Sequence, residues 1–482
     1  MKNSILQEIE ANIISWYDFE ENKNILFIGE KENGAYIFLN NKYKNVDIYS
    51  EKKQNTKLYD YIVALNETIS KKEILNIKKM LKKTGIILLA FNNKFGISNF
   101  LTYQYDERIS PLDKINSKNI TKEQVKDILN NEGLKYINTY MPFPNYKKTD
   151  LILTNKVSNV EEKIDKYFID YKENMIILAN EIKLLKRIAR GDKELFEKLA
   201  NSYLLEISAQ PINTDVKYVS YNNYRKKEYQ LTTIIRKDVV EKRATTKEAI
   251  KNVKRIAENL PELNKYNIKV LDRFENNRLY STFIKDKETL DVEIAENANN
   301  QQYVIEKLNK IKEKLIENSI KYNKDDKKKY NEVLRKVDDT ILEKMNYLEF
   351  AFYDMVPKNC FDIDGEYYYF DQEWMGKFLP VEFIMYRSII NSYELMRNTD
   401  VNDLLTKMNL IEYKEIFDQI DTQLRKNIID EERFSILNKD YLKMYEIVYD
   451  NETLKRENES YKVNDKKQNE YIQVLEKQIN KR

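Results

Sequence analysis

Between residues 20 and 155 the chain alternates short, unbroken apolar runs with stretches of helical periodicity. "NILFIGE", "NVDIYS", "YDYIVALN" and "GIILLAFN" are strand candidates, and "DLILTNK" closes the series. Between the third and fourth, "SKKEILNIKKMLKKTG" spaces its apolar residues at helical intervals and stops at a glycine. A strand that is apolar on both faces must be covered on both. Strands joined through helices run parallel. The pattern therefore predicts an α/β domain over 1–158 with a buried, largely parallel sheet.

The pattern then changes. Ile164, Phe168, Tyr171, Met175, Leu178, Ile182 and Leu185 fall at four- and three-residue steps before Gly191. This spacing predicts one long helix with a heptad seam, within a helical connector spanning 159–210. The seam is read either as packing within its own domain or as a self-association stripe. From about 212, "VKYVSY", "EYQLTTIIR" and "DVVEKRA" read as strands, followed by the helix "TKEAIKNVKRIAENLPEL" and further strands in "IKVLDRFENNRLYSTFI". Long charged helices are expected from 298 to about 350, and helices again from 382 to 448. The second domain is thus an α+β body over 211–448. In the tail, 449–482, Leu454, Tyr461, Ile472, Leu475 and Ile479 fit a partial heptad interrupted by Asn458, Asp465 and Gln468. That segment reads as a weak coiled coil or as a solvated helix.

Composition narrows the chemistry. Of 482 residues, Lys and Arg number 82 against 79 Asp and Glu, which gives no electrostatic case for nucleic acid as a partner. One cysteine excludes an internal disulfide framework and fits a reducing cytosol. The start, "MKNSILQEIEANIISWYDFEEN", lacks the order of a signal peptide, and no apolar run approaches the length of a membrane span. A cytoplasmic location without membrane insertion is the expectation. Histidine is absent, so the commonest general base and metal ligand is missing, and chemistry must fall to carboxylates, lysines, tyrosines, the single thiol or bound cofactors.

"YDMVPKNCFDIDGEYYYFDQEW", residues 353–374, supplies such carboxylates in order. Phosphoryl transfer needs metal ions to bridge phosphates and a carboxylate to orient the attacking hydroxyl. Asp354, Asn359 and Asp371 have the types and sequence for base, metal amide and metal carboxylate. Asp364-Gly365 is a favoured tight-turn pair, and a hairpin there would return Asp371 to Asn359. The stretch resembles the catalytic segment of the aminoglycoside phosphotransferase and choline kinase superfamily. "FYDMVPKN" stands for that family's HxDxxxxN and "DQE" for its DxE. The resemblance implies a two-lobed, kinase-like fold for 211–448, Mg-ATP as cofactor, Asp354 as catalytic base, and Asn359, Asp371 and Glu373 at the metal. It also implies Lys242 as the nucleotide-phosphate lysine, with Glu248 as its partner acid. Phe352 stands where the family has a histidine that braces the loop, and "SYNNYRKKE" has no glycine where a phosphate-covering loop would lie.

"NILFIGEKENG" followed by "NVDIYSE" resembles the first half of a class I S-adenosylmethionine-dependent methyltransferase. By that resemblance the domain is Rossmann-like, Gly29 and Gly34 lie at the cofactor turn, and Glu51, or alternatively Asp47, binds the ribose. Lys31 and Asn33 stand where small residues are expected, and Phe27 replaces the usual acid. In order, "YDYIVALNETIS", "GIILLAFNNKFGISNF", "YMPFPNY" and "ANSYLLEI" resemble methyltransferase-like domains joined to kinase-like domains in bacterial surface-glycan synthesis proteins. That implies a glycan or sugar-linked acceptor and glycosyltransferases as partners. Three readings stand: a Mg-ATP-dependent phosphotransferase, a SAM-dependent methyltransferase acting on a sugar or glycan, and a non-catalytic scaffold for glycosyltransferases.

Overall fold

The computed structural model describes residues 2–50, 57–66, 69–104, 120–172, 175–265, 268–285, 287–392, 399–453, 455–456 and 459. The chain is a mixed α/β protein of two compact units. The first contains Met1–Ile14, Asp18–Asn213 and Leu437–Arg482, and the second contains Ser15–Tyr17 and Thr214–Ile436. No helix among the described residues is long and apolar enough to cross a membrane.

In the first unit, α1 (Lys2–Glu10) precedes β1 (Ile25–Ile28), α2 (Gly34–Lys42), β2 (Val46–Ile48) and β3 (Tyr59–Leu65). Next come α3 (Lys71–Lys79), β4 (Leu81–Asn92) and the short β5 (Thr102–Gln104). α4 (Lys122–Asn131), β6 (Tyr136–Pro144), β7 (Thr149–Leu153) and β8 (Met175–Ile177) follow, then α5 (Glu181–Gly191), α6 (Lys193–Lys198) and β9 (Ser202–Ser208). β2, β1, β3 and β4 pair in parallel, in that order. β9 runs antiparallel between β4 and β6, and β7 pairs antiparallel with the far side of β6. The apolar runs are strands because both their faces are covered: Ile62, Val63 and Ala64 of β3 and Leu88, Leu89 and Ala90 of β4 are all buried. The helices start where side chains replace missing main-chain acceptors. Ser70 and Glu73 form a capping box on α3, and Thr121 and Gln124 form one on α4.

The single helix predicted from the 164–185 spacing does not form. Asp150 accepts the Phe168 amide at 3.1 Å, and the Tyr441 hydroxyl takes the Tyr171 amide at 2.8 Å. Both amides are thereby withdrawn from a helical ladder. Residues 175–177 instead form β8, paired with β5, and α5 begins afresh at Asn180, whose side chain accepts from the Lys183 amide. Of the spaced residues Ile164, Tyr171 and Leu185 are buried along this irregular path, whereas Leu178 is exposed and Ile177, off the spacing, is buried in its stead. Residues 159–210 are accordingly no connector, for β9 is a strand of the main sheet.

In the second unit, β10 (Tyr218–Tyr221), β11 (Leu231–Ile235) and β12 (Val239–Ala244) lead to α7 (Ala249–Lys265). β13 (Lys269–Val270), β14 (Asp272–Glu275) and β15 (Arg278–Thr282) follow. β14, β15, β12, β11 and β10 pair antiparallel in that order. α8 (Gln301–Ile316) is the one long helix of the 298–350 stretch. Asn318 and Ser319 bond back to the carbonyls of Lys314 and Ile316, and short turns follow. Then come β16 (Ile320–Lys321), β17 (Asn346–Phe352), β18 (Cys360–Ile363), β19 (Glu366–Tyr369) and β20 (Met375–Pro380), followed by α9 (Val381–Ile390) and α10 (Lys414–Ile428). α9 is buried along nine of its ten residues, so it forms the spine of this unit's core with Phe417 and Ile420 of α10. The chain then returns to the first unit through β21 (Leu442–Lys443), parallel to β8.

Candidate functional site

The second unit gathers the acids from one loop and one hairpin. β17 ends at Phe352, and a short turn, Pro357–Asn359, leads into β18. Asp364 and Gly365 both have positive φ, 53° and 82°, as a two-residue hairpin requires. β19 therefore runs back along β18, and the Phe370 amide donates to the Asn359 carbonyl at 3.0 Å. The Asp354 carbonyl accepts from Asn359 Nδ2 at 3.0 Å and from Gln372 Nε2 at 3.1 Å. Asp354, Asn359 and the 371–373 segment are thus brought together, and a φ of 59° turns Asp371 out of the strand direction.

Lys242, on β12, meets this segment. Its ammonium donates to Asp371 and, at 2.6 Å, to Glu373 Oε1. Glu373 Oε2 also accepts from Arg225 at 2.9 Å, and the Arg225 guanidinium lies 5.2 Å from the Trp374 ring centre. Burial works against the charge of Glu373, but Lys242 and Arg225 outweigh it and hold the carboxyl well below its usual range. Burial pushes Asp371 up to about 7; Lys242 opposes that rise, and the charges of Glu373 and Asp354 add to it. The Asp371 side chain retains 38% exposure, which moderates the effect. Burial also opposes the charge of Lys242, yet the two carboxylates hold its ammonium above the usual lysine range. Asp272 adds a further acid. It accepts from Ser281 and from the Gln372 amide, and burial raises its carboxyl.

Glu248 is not the lysine's partner. It is exposed, one residue before α7, while Asp371 and Glu373 hold Lys242. The space of the missing histidine is core, with Phe352 buried. The brace comes instead from Arg387 of α9. Its Nε donates to the Tyr353 carbonyl and a terminal nitrogen to Asp354 Oδ1, each at 2.9 Å, and its other terminal nitrogen pairs with Asp421 of α10. Arg225, Asp272, Arg387 and Asp421 were missed by sequence reasoning. None carries a local motif: Arg225, Asp272 and Asp421 lie far along the chain from 354–373, and Arg387, though nearer in sequence, belongs to a separate helix, α9.

The Asp371 carboxylate and the Asn359 amide are oxygen donors of the kind a hard cation takes, and Gln372 Oε1, next along the chain, is a buried acceptor without a hydrogen-bond partner. No group of three or more His, Cys, Asp or Glu side chains among the described residues would hold an ion unaided. A bound cation here would draw its remaining oxygens from water and from ligand phosphates, as magnesium does.

In the first unit the sheet order reverses between β1 and β3, so a ligand site belongs at the carboxyl end of β1. That turn is filled by the chain itself. A Cβ on Gly29 would lie 2.8 Å from the Phe27 ring, and one on Gly34 would lie 1.6 Å from the carbonyl oxygen of Gln7 in α1. The Gly34 amide donates to Glu10 of α1 at 2.8 Å, and Asn33 Oδ1 takes the Ala35 amide. Gln7 donates to the Glu32 carbonyl at 3.0 Å. Both glycines thus have a packing reason, and the start of α2 is capped by protein carboxylate and amide. As arranged, these residues do not fit a cofactor held by the turn's amides. Asp47 pairs with Lys57 at 2.7 Å, and Glu51 lies outside the described residues. Asn93 is structural too, donating to the carbonyls of Lys198 and Ala200.

No protein-family model matches the chain, and no curated protein does. Solved structures similar to it include the plantazolicin methyltransferase BpumL in complex with SAH, at 12% identity and a TM-score of 0.23, over 43% of this chain and 85% of that one. A SAM-dependent methyltransferase of Thermotoga maritima, a possible histamine N-methyltransferase, matches at 9% identity and a TM-score of 0.24, over 43% and 91%. The plantazolicin methyltransferase BamL matches at 12% and 0.22, over 43% and 85%. All three are methyltransferases. TM-scores this low carry no inference about activity, and the α/β architecture stands on the strand order described above.

Proposed function

We propose that the second unit binds a nucleoside triphosphate with magnesium and transfers phosphate to a hydroxyl acceptor. The observation that carries this reading is the Lys242 ammonium resting on Asp371 and Glu373, with the Asp354–Asn359 loop tied to the same segment. A lysine on the third strand of a five-stranded antiparallel sheet, followed at once by a helix, supports it, because that is where kinase-type folds carry their phosphate lysine. In this reading Lys242 exchanges Asp371 for phosphate oxygens, and Asp371 and Asn359 hold the metal. Glu373 stays with Arg225 and keeps Lys242 in place. Asp354, oriented by Arg387, accepts the proton of the attacking hydroxyl. Magnesium would neutralise charge on the phosphates. The acceptor we propose is a sugar-linked hydroxyl, on the strength of the motif order in the sequence.

A second reading, SAM-dependent methyl transfer by the first unit, is favoured by the position of its sheet reversal at Gly29, and it requires α1 to leave the turn. Thermal shift separates the two. Mg-ATP should raise the melting temperature of the wild type and leave Asp371→Asn unmoved. A shift with SAH and none with Mg-ATP would overturn the phosphotransferase reading in favour of the second.

A further inference from the structure

Two guanidiniums lie against the Trp374 ring. Arg225 stands 5.2 Å from its centre, and Arg255 of α7 stands 5.9 Å from it. Arg225 is neutralised by Glu373. Arg255 is not: it is partly buried, and no carboxylate among the described residues pairs with it. Its hydrogen bonds go to one neutral atom, Asn252 Oδ1, from Nε at 3.2 Å and from Nη2 at 2.7 Å. Asn252 is 5% exposed, and its Nδ2 is buried without a hydrogen-bond partner. A bare buried donor and a guanidinium without counter-charge are each costly. An anion with several oxygens relieves both. The pair also stands beside the acidic loop. Burial raises the hydroxyl of Tyr353, the neighbour of Asp354, and Asp354 adds to that rise, while the charges of Arg387 and Arg255 reach it and oppose it.

We propose that Arg255 and Asn252 bind a phosphate group, one belonging either to the nucleotide or to the acceptor. The role of this site rests on the phosphotransferase reading; its occupation by phosphate requires neither metal nor turnover. Asn252 holds the Nε–Nη2 edge of the guanidinium, which leaves the Nη1–Nη2 edge to offer two donors in the fork geometry that suits phosphate. Asn252 Nδ2 is the third donor of the set. That residue 252 is an amide and not an acid is essential to the site. An aspartate of the same shape would neutralise Arg255 from within and turn a phosphate away. Lys242 does not duplicate this role, because Asp371 and Glu373 already balance its charge.

The test is calorimetric titration of the full chain with inorganic phosphate at constant ionic strength, without nucleotide. Saturable binding is expected for the wild type. Arg255→Gln and Asn252→Asp should each weaken it by about tenfold or more, the loss expected of a charge-assisted contact. Asn252→Asp preserves the shape of the site and both side chains, so its effect is one of charge and not of unfolding. Lys242→Met should leave phosphate binding in place. Repeating the titration on protein saturated with Mg-ATP identifies the source: phosphate that is excluded assigns the site to the nucleotide, and phosphate that still binds assigns it to the acceptor. A wild type that binds no phosphate overturns the inference. So does binding that survives both Arg255→Gln and Asn252→Asp, or that Lys242→Met removes. Phosphate binding without any binding of Mg-ATP would overturn the phosphotransferase reading and leave this site standing.

Discussion

Arg387 sets the geometry of the acidic loop with one guanidinium. Removing it leaves Asp354 without its cation and Asp421, buried, with Arg425 as its remaining partner at 2.5 Å. We expect Arg387→Ala to lose about 3–5 kcal/mol in urea denaturation. Arg387→Lys keeps the charge but cannot donate to three partners at once. It should retain the Mg-ATP thermal shift while lowering turnover, the separation expected of a positioning residue. Asp371 gives a pH dependence. Its carboxyl is raised from the usual range toward 7, so the protonated form competes with metal below that value. Magnesium affinity measured by calorimetry should rise with pH through about 7 and flatten above it; a flat profile from pH 5.5 to 8 would exclude Asp371 as the ligand. At this scale the sequence showed Asp354, Asn359, Asp371 and Lys242, because one short loop, one hairpin and one strand type hold them. It could not show Arg225 or Arg387, which reach the site only through tertiary packing, and its choice of Glu248 failed for the same reason.

Elements were legible where burial alone decides them. The unbroken apolar runs became β1, β3, β4 and β7, and the Asp-Gly pair became the hairpin turn. They were illegible where side chains compete with the backbone. The 164–185 spacing satisfies a helix on paper, yet Asp150 and Tyr441 take its amides, and β9 enters the sheet from a stretch that reads as connector. The glycine turn after β1 shows a related ambiguity. Glycine at 34 is needed by a cofactor turn and equally by a helix crossing overhead, and the structure supplies the helix. Gly34→Ala places a methyl against the Gln7 carbonyl, and we expect about 1–3 kcal/mol of destabilisation. Faster hydrogen exchange confined to α1 and the start of α2 would accompany it. Unchanged exchange there would mean α1 does not hold this turn in solution.

At the scale of the whole molecule, two compact units predict unfolding that is not two-state. Calorimetry should resolve two transitions, and Mg-ATP should move only the one belonging to the second unit. The central claim is that Lys242, Asp371 and Asn359 form a nucleotide-phosphate and metal site. Its most direct measurement is isothermal titration of the full chain with ATP, with and without magnesium, for wild type and Asp371→Asn. The account predicts saturable, magnesium-dependent binding that the substitution abolishes. Binding that is absent in the wild type, or unchanged by Asp371→Asn, would contradict it.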